Sequence, residues 1–419
     1  MRKFSSMTLG AALALGVTGL VAGAPAVAAK KEKAEEKPAQ PQFKLSKGVR
    51  DNVGAAQEAI GKGDFATAEA KLAAADPLAQ TNDDKYVIGV TKLNIAAKQN
   101  DNAKIAAAID QVIASGSAPA ADLPTLYRNQ GALATQAKDN AKAEAAFTKL
   151  NEIDPGKPDN LVMLAEIKYQ NKKPQEALDA LDKAVAAQKA SGQPVSENWY
   201  KRGLGIAYDS KLKPETLKWS EEYIKAYPSP TSWRTALQIY RQDNTLDDNQ
   251  TLDLYRLARA AKALNGERDF FEYASAALDR GLPGEAESVI DEGFASKMVD
   301  AGSKPLGEVK ALASPKIAAD KASLPASATK AASAADGRPA MNTADAYLGY
   351  GDYAKAAELY KLALSKGGAS VDPNTVNTRL GIALARSGQK AAALQAFSQV
   401  TGARKVIADY WTIWLNQQA

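Results

Sequence analysis

Residues 138–155 read KDNAKAEAAFTKLNEIDP. Lys138-Asp139 makes a polar turn, Ala143 is a small residue inside the segment that follows, and Phe147 and Leu150 fall on its face before Pro155 closes the run. The same order recurs at Gly63-Asp64-Phe65-Ala66-Thr67-Ala68 with Leu72, and at Gly351-Asp352-Tyr353-Ala354-Lys355-Ala356 with Tyr360 and Ala363. A further copy runs from Gly388 through Ala393 to Phe397 and Val400. Each copy describes a turn between two helices, with a small residue where the second helix crosses the first and an apolar residue one turn later on the same face. Two helices approach closely only where a small side chain lets the backbones meet, and the larger residue fills the gap against the next pair.

Aligning the small crossing residue gives Ala68, Ile105, Ala143, Ala177, Thr216, Ala286, Ala356 and Ala393. The successive steps are 37, 38, 34, 39, 70, 70 and 37 residues, and a step of 70 leaves room for one more pair. This pattern resembles the tetratricopeptide repeat, a helical hairpin of about 34 residues. The copy around Ala143 supplies Tyr127, Gly131, Ala143, Phe147 and Pro155 of its motif, with Gln130 in place of Leu; the last copy supplies Leu380, Gly381, Leu384, Ala393 and Phe397. Ser220 stands where an aromatic follows Thr216, and Ile105 fills a small position. The resemblance implies an all-α fold, a right-handed α-solenoid of about 8–10 hairpins in which each pair is stabilised only by stacking.

The chain organises around that block. Residues 1–29 carry Arg2 and Lys3, an apolar run from Leu9 to Val27 and the small-x-small site Ala26-Val27-Ala28, which together predict a cleaved signal peptide and a periplasmic or secreted protein. Residues 30–43 (with KKEKAEEKPAQP at 30–41) read as a solvated tether. A repeat block spans 44–300, with Thr231 to Arg241 and Asp248 to Leu264 as the extra pair in its second half. Residues 301–340 are Ala-, Ser-, Lys- and Pro-rich; Pro305, Pro315 and Pro325 interrupt any helix, leaving a degenerate hairpin or an unstructured spacer. Repeats resume over 341–400, and 401–419 is a capping helix whose Tyr410, Trp411 and Trp414 seal the last core.

Composition narrows the chemistry. With no Cys and no His among 419 residues, thiol nucleophiles, disulfides, His-based triads and Cys/His zinc sites are excluded. The net charge of +5, spread along the chain, lacks the concentrated basic face that nucleic acid requires. The paired carboxylates Asp83/Asp84 and Asp247/Asp248 each precede an apolar-periodic segment, where Asp caps a helix. No phosphate loop, dinucleotide fingerprint, nucleophile elbow or calcium loop is present in the sequence, and Gly203-Leu204-Gly205 reads as a close helix contact. The expectation is therefore a non-catalytic protein without cofactor or metal.

A helical solenoid binds through the groove lined by its first helices. The groove candidates are Arg128, Asn129 and Thr135, then Glu166 and Tyr169, then Lys201, Arg202 and Tyr208, then Arg379. The basic members suit an acidic or C-terminal carboxylate peptide, or else form a solvated face. The carboxylate clamp known in some of these repeats, with its fixed Lys and Asn set, is not reproduced. Expected partners are proteins or peptides of the cell envelope, with a scaffold as the first reading and a small-ligand or polymer receptor, or an enzyme using carboxylate or Lys chemistry, as the second.

Overall fold

The computed structural model describes residues 43–418, so the expected signal peptide and all of the tether but Phe43 lie outside the described residues. The described residues fold into α-helices and short turns, with no strand among them. The chain divides into two compact units between Val195 and Ser196, inside the stretch that the repeat spacing treats as one block.

The first unit holds four hairpins: α1 (Lys47–Gly61) with α2 (Phe65–Ala75), α3 (Asn82–Gln99) with α4 (Asn102–Ser115), α5 (Leu123–Gln136) with α6 (Asn140–Ile153), and α7 (Pro158–Gln170) with α8 (Pro174–Ala190). The second begins with α9 (Glu197–Asp209), α10 (Lys213–Ala226), α11 (Pro230–Asp243), α12 (Asp248–Ala260), α13 (Gly266–Asp279) and α14 (Pro283–Ala295). It continues with α15 (Lys304–Ser333), α16 (Arg338–Gly349), α17 (Tyr353–Lys366), α18 (Pro373–Arg386), α19 (Lys390–Ser398) and α20 (Lys405–Asn416).

One turn builds most of the hairpins. A residue in the left-handed region, Gly63, Asn100, Lys138, Lys172, Lys211, Gly281, Gly351 or Gly388, reverses the chain. The next residue donates its N–H to the carbonyl five positions back at 2.9 to 3.0 Å, as Asp139 does to Ala134 and Lys173 to Lys168, which satisfies an orphan carbonyl of the ending helix. That same residue opens the second helix, and where it is Asp its carboxylate also accepts an N–H three residues on, as Asp139 does from Lys142. The crossing residue always lies four positions further along, and all eight are buried.

The aromatic that follows is fitted to a glycine. A Cβ on Gly131 would lie 2.7 Å from the Phe147 ring, one on Gly203 2.3 Å from Trp219, and one on Gly381 2.3 Å from Phe397. Trp219 thus supplies the ring expected after Thr216, one position before Ser220, while Gly205 meets nothing within 4 Å and is no close contact. The Asp pairs also resolve. Asp247 caps α12 in a reciprocal box with Gln250, whereas Thr81 caps α3 and Asp84 completes its box. Asp84 is fully buried and additionally accepts from Ser46 N at 2.8 Å and Ser46 Oγ at 2.6 Å, tying the start of α1 to α3.

Residues 304–333 form one helix rather than a hairpin or an unstructured spacer. Leu306, Val309, Ala313, Leu324 and Ala331 are buried along it and Ile317 and Asp320 half-buried, a seam of three- and four-residue steps packed on α13, α14 and α16. Pro315 and Pro325 both sit on the exposed side. There each removes one solvent-side hydrogen bond, a loss that a long surface helix tolerates.

The C-terminal helix does more than close the last hairpin. Besides α18 and α19, α20 packs on α10 and α12. Tyr410 Oη is 2.9 Å from Ser220 Oγ, Trp233 Nε1 donates to Gln417 Oε1 at 3.0 Å, and Gln417 Nε2 donates to the Ile224 carbonyl at 2.7 Å. The helices of the second unit therefore curve around α20, which is shared by helices far apart in the stack. Ile407, Tyr410, Trp411, Ile413, Trp414 and Leu415 are all buried, a gross contribution on the order of 10 kcal/mol before ordering costs.

Candidate functional site

The expected groove residues are placed as follows. In the first unit, Arg128 is half-buried and donates to Asn160 Oδ1 at 3.0 Å, bringing α5 to α7, the helix that carries Glu166 and Tyr169. Asn129, Glu166 and Tyr169 are half-buried, and Thr135 donates its hydroxyl to the Gly131 carbonyl. In the second unit, Lys201 pairs with Glu197 at 2.8 Å and leans over the Tyr223 ring. Arg202 is half-buried, and Tyr208 donates to Gln242 Oε1 at 3.0 Å. Arg379 is not a groove residue: it is 3% exposed and held inside a buried ion cluster. It lies on the first helix of a hairpin, but its guanidinium is taken up by Asn249 and Asp253 of α12 and Asp345 of α16.

That cluster lies at the centre of the second unit. Asp253 accepts from Arg404 Nη1 at 2.7 Å, Arg256 Nη1 at 2.8 Å and Arg379 Nε at 3.2 Å. Arg256 also forks onto Glu285 at 2.8 and 2.6 Å, and Arg379 reaches Asp345 at 2.7 Å and Asn249 at 2.9 Å. Three arginines thus face three carboxylates, with the Tyr273 and Tyr360 hydroxyls donating to Glu285 and Asp345. Burial alone would raise the Asp253 carboxyl, but Arg379, Arg256 and Arg404 overcome it and hold it down at about 2. Burial likewise opposes ionisation of Glu285, and Arg256 outweighs it, keeping this carboxyl below its usual range. Burial pushes the Tyr273 and Tyr360 phenols well above theirs. These groups are fixed in charge across the neutral range, which suits a structural tie between α12, α14, α16 and α18 and does not suit proton exchange.

Beside the cluster an open cleft of about 380 Å³ lies between α12, α14, α15, the turn from α16 to α17, and the end of α18, with Trp411 of α20 also lining it. Arg256, Glu285 and Tyr273 of the cluster line it, joined by Arg259, Glu287, Asp291, Lys321, Tyr350, Tyr353 and Arg386. Asp291 is paired with Lys310 at 2.5 Å, Glu287 accepts the Ser314 hydroxyl at 2.5 Å, and Arg259 pairs with Glu292 at 2.6 Å. Lys321 instead sits 4.9 Å from the centre of the Tyr350 ring, and Arg386 5.4 Å from that of Tyr353. Tyr350 in turn donates to Asp320 Oδ2 at 2.6 Å. Sequence reasoning did not single out Lys321, Tyr350 or Arg386: Lys321 lies in the stretch taken as irregular, and of the two tyrosines only Tyr353 was noted, as part of a repeat copy. The alternation of Leu306, Ala313, Ile317 and Leu324 was the available signal for the missing wall.

Residues 134–193, which run from the end of α5 through α8, match the family model of the tetratricopeptide repeat. This chain contains tetratricopeptide repeats. The match lies within the first unit, in the copy whose turn is Lys138-Asp139 and in the one after it. Among solved structures, the chain is similar to a tetratricopeptide repeat protein from Parabacteroides merdae, at 13% identity over 81% of this chain and 100% of that one, with a TM-score of 0.29. It is similar to PilF of Pseudomonas aeruginosa at 16% identity, over 67% and 91% of the two chains, with a TM-score of 0.22. The tetratricopeptide repeat domain of P58(IPK) aligns at 14% identity over 81% and 98%, with a TM-score of 0.23. No curated protein sequence gives a significant match. The family match accounts for α6, α7 and α8; α15 and α20 lie outside it.

Proposed function

We propose that the protein is a non-catalytic scaffold that holds protein partners in the cell envelope after removal of its signal peptide. The observation that carries the reading is the stack of tetratricopeptide-type hairpins in each unit, because stacking buries one side of every hairpin and leaves an extended polar surface for partners. The fixed charge of the buried carboxylates supports a binding role over acid–base chemistry. The half-buried face of α5 and α7, with Arg128, Asn129, Glu166 and Tyr169, offers such a surface in the first unit.

Two measurements test this. N-terminal sequencing of the protein from fractionated cells is expected to find a periplasmic chain beginning just after Ala28 or Ala29; an intact Met1 in the cytosol refutes the envelope part. In-cell crosslinking followed by mass spectrometry is expected to recover defined envelope proteins, and recovery of none refutes the scaffold.

A further inference from the structure

We infer that the cleft between α15 and the α16–α17 turn is a docking site for an acidic peptide segment of a partner, with Lys321 and Arg386 as its anchors. The inference rests on the scaffold reading and gives it a location and a ligand chemistry.

The argument starts from an imbalance in the cleft's charges. Two of the three carboxylates that line it are ion-paired, Glu285 with Arg256 and Asp291 with Lys310, while Glu287 is held by the Ser314 hydroxyl and keeps its charge, one anion against two unpaired cations. The cations divide differently. Arg256 and Arg259 are paired, but Lys321 and Arg386 have no carboxylate within ion-pair distance among the described residues. Both are exposed. Each is instead held over a tyrosine ring, and Arg386 Nη2 also donates to the Tyr353 hydroxyl at 3.3 Å. A ring face restrains a cation without neutralising it, so the two charges stay positioned and available.

Tyr350 and Tyr353 flank the same turn, Gly351-Asp352, so both anchors are referred to one rigid piece of backbone. The cleft is large enough for a few side chains of an extended segment. Its long wall continues the match, since α15 carries Lys304, Lys310, Lys316, Lys321 and Lys330 against Glu308 and Asp320 alone. Carboxylates spaced along a peptide would complete the two unpaired cations through charge-assisted hydrogen bonds and follow the basic helix.

The test uses the full mature chain and a fluorescently labelled peptide of alternating Glu and Gly, with its Gln counterpart as the neutral control, followed by anisotropy at low and moderate salt. The Glu peptide is expected to bind and the Gln peptide not. The double reversal K321E/R386E is expected to weaken binding by about tenfold or more, the double K321A/R386A by less, and K149E, which makes a single reversal in the first unit, to leave it unchanged. Unaltered tryptophan fluorescence in the variants shows that the second unit has kept its fold. Equal binding by K321E/R386E and the unmodified chain overturns the inference, as does equal competition by inorganic polyphosphate, which would show attraction to charge alone. Failure of the Glu peptide to bind overturns it too. The scaffold reading then stands or falls separately, on whether crosslinking recovers envelope proteins.

Discussion

Replacing Asp253 by Asn tests the ion cluster at its centre. The substitution keeps the volume and removes one charge where three carboxylates balance three arginines. The three guanidinium contacts at 2.7, 2.8 and 3.2 Å lose their anionic partner. Asp253 is fully buried, and Arg256, Arg379 and Arg404 are each less than a tenth exposed, so water cannot replace it. Breaking a buried pair by removing one member costs about 3–5 kcal/mol, and the shared position of Asp253 puts the expected loss in that range. All five tryptophans, Trp199, Trp219, Trp233, Trp411 and Trp414, belong to the second unit, so their fluorescence reports its unfolding in urea without interference from the first. With a slope of about 2–3 kcal/mol per M, the midpoint should fall by about 1–2 M. The double variant D253N/R404Q restores the balance of charge and is expected to be less destabilised than the sum of its two single changes. A loss below about 1 kcal/mol, or strict additivity in the double variant, would refute a cluster held together by its central anion.

Further outcomes follow from the packing and from one carboxylate. G203A drives a methyl to 2.3 Å from the Trp219 ring and should destabilise the second unit by about 1–3 kcal/mol or more. G205A meets nothing and should be neutral or stabilise by up to about 1 kcal/mol, both read by urea denaturation. Burial would raise the Asp84 carboxyl, but hydrogen bonds from Ser46, Thr81 and Gln80 hold it at about 2. Because that value lies below the ordinary one, the stability it gives is present above pH about 4 and fades as the pH falls toward 2. Hydrogen exchange of the α1 amides should accelerate over that window in the unmodified chain, and D84N should show fast exchange already at neutral pH; identical profiles would remove Asp84 as the tie.

The hairpins were legible because their turn repeats a chemistry: Gly63-Asp64, Lys138-Asp139 and Gly351-Asp352 announce both the reversal and the cap. Copies with the same geometry but different residues, such as Lys172-Lys173 and Lys211-Leu212, needed the spacing of their crossing residues to be found. The ring after Thr216 was sought at Ser220, one residue past Trp219, because the glycine that Trp219 fits, Gly203, precedes it by the same sixteen residues that separate Gly131 from Phe147, a relation between two helices that a pattern within one helix does not contain. The long α15 was hidden by Pro315 and Pro325, whose cost depends on which side of a helix they occupy. Arg379 could not have been assigned to a buried cluster: its partner Asp253 is 126 residues away, and nothing local distinguishes an arginine that meets a carboxylate there from one that meets water.

The inward position of α20 bears on how the chain becomes a protein. Ribosomes deliver the N-terminus first, yet Ser220, Ile224 and Trp233 wait for Tyr410 and Gln417, the pairs lying 184 to 193 residues apart. Contacts so distant in sequence make closure slow relative to the local zipping of each hairpin. Until α20 arrives, the apolar faces of α10, α12, α18 and α19 that it covers are exposed, the condition in which chains aggregate or are captured by chaperones. Here the loss of α20 would remove the keystone of the second unit, so its codons should be under the same constraint as those of the buried middle.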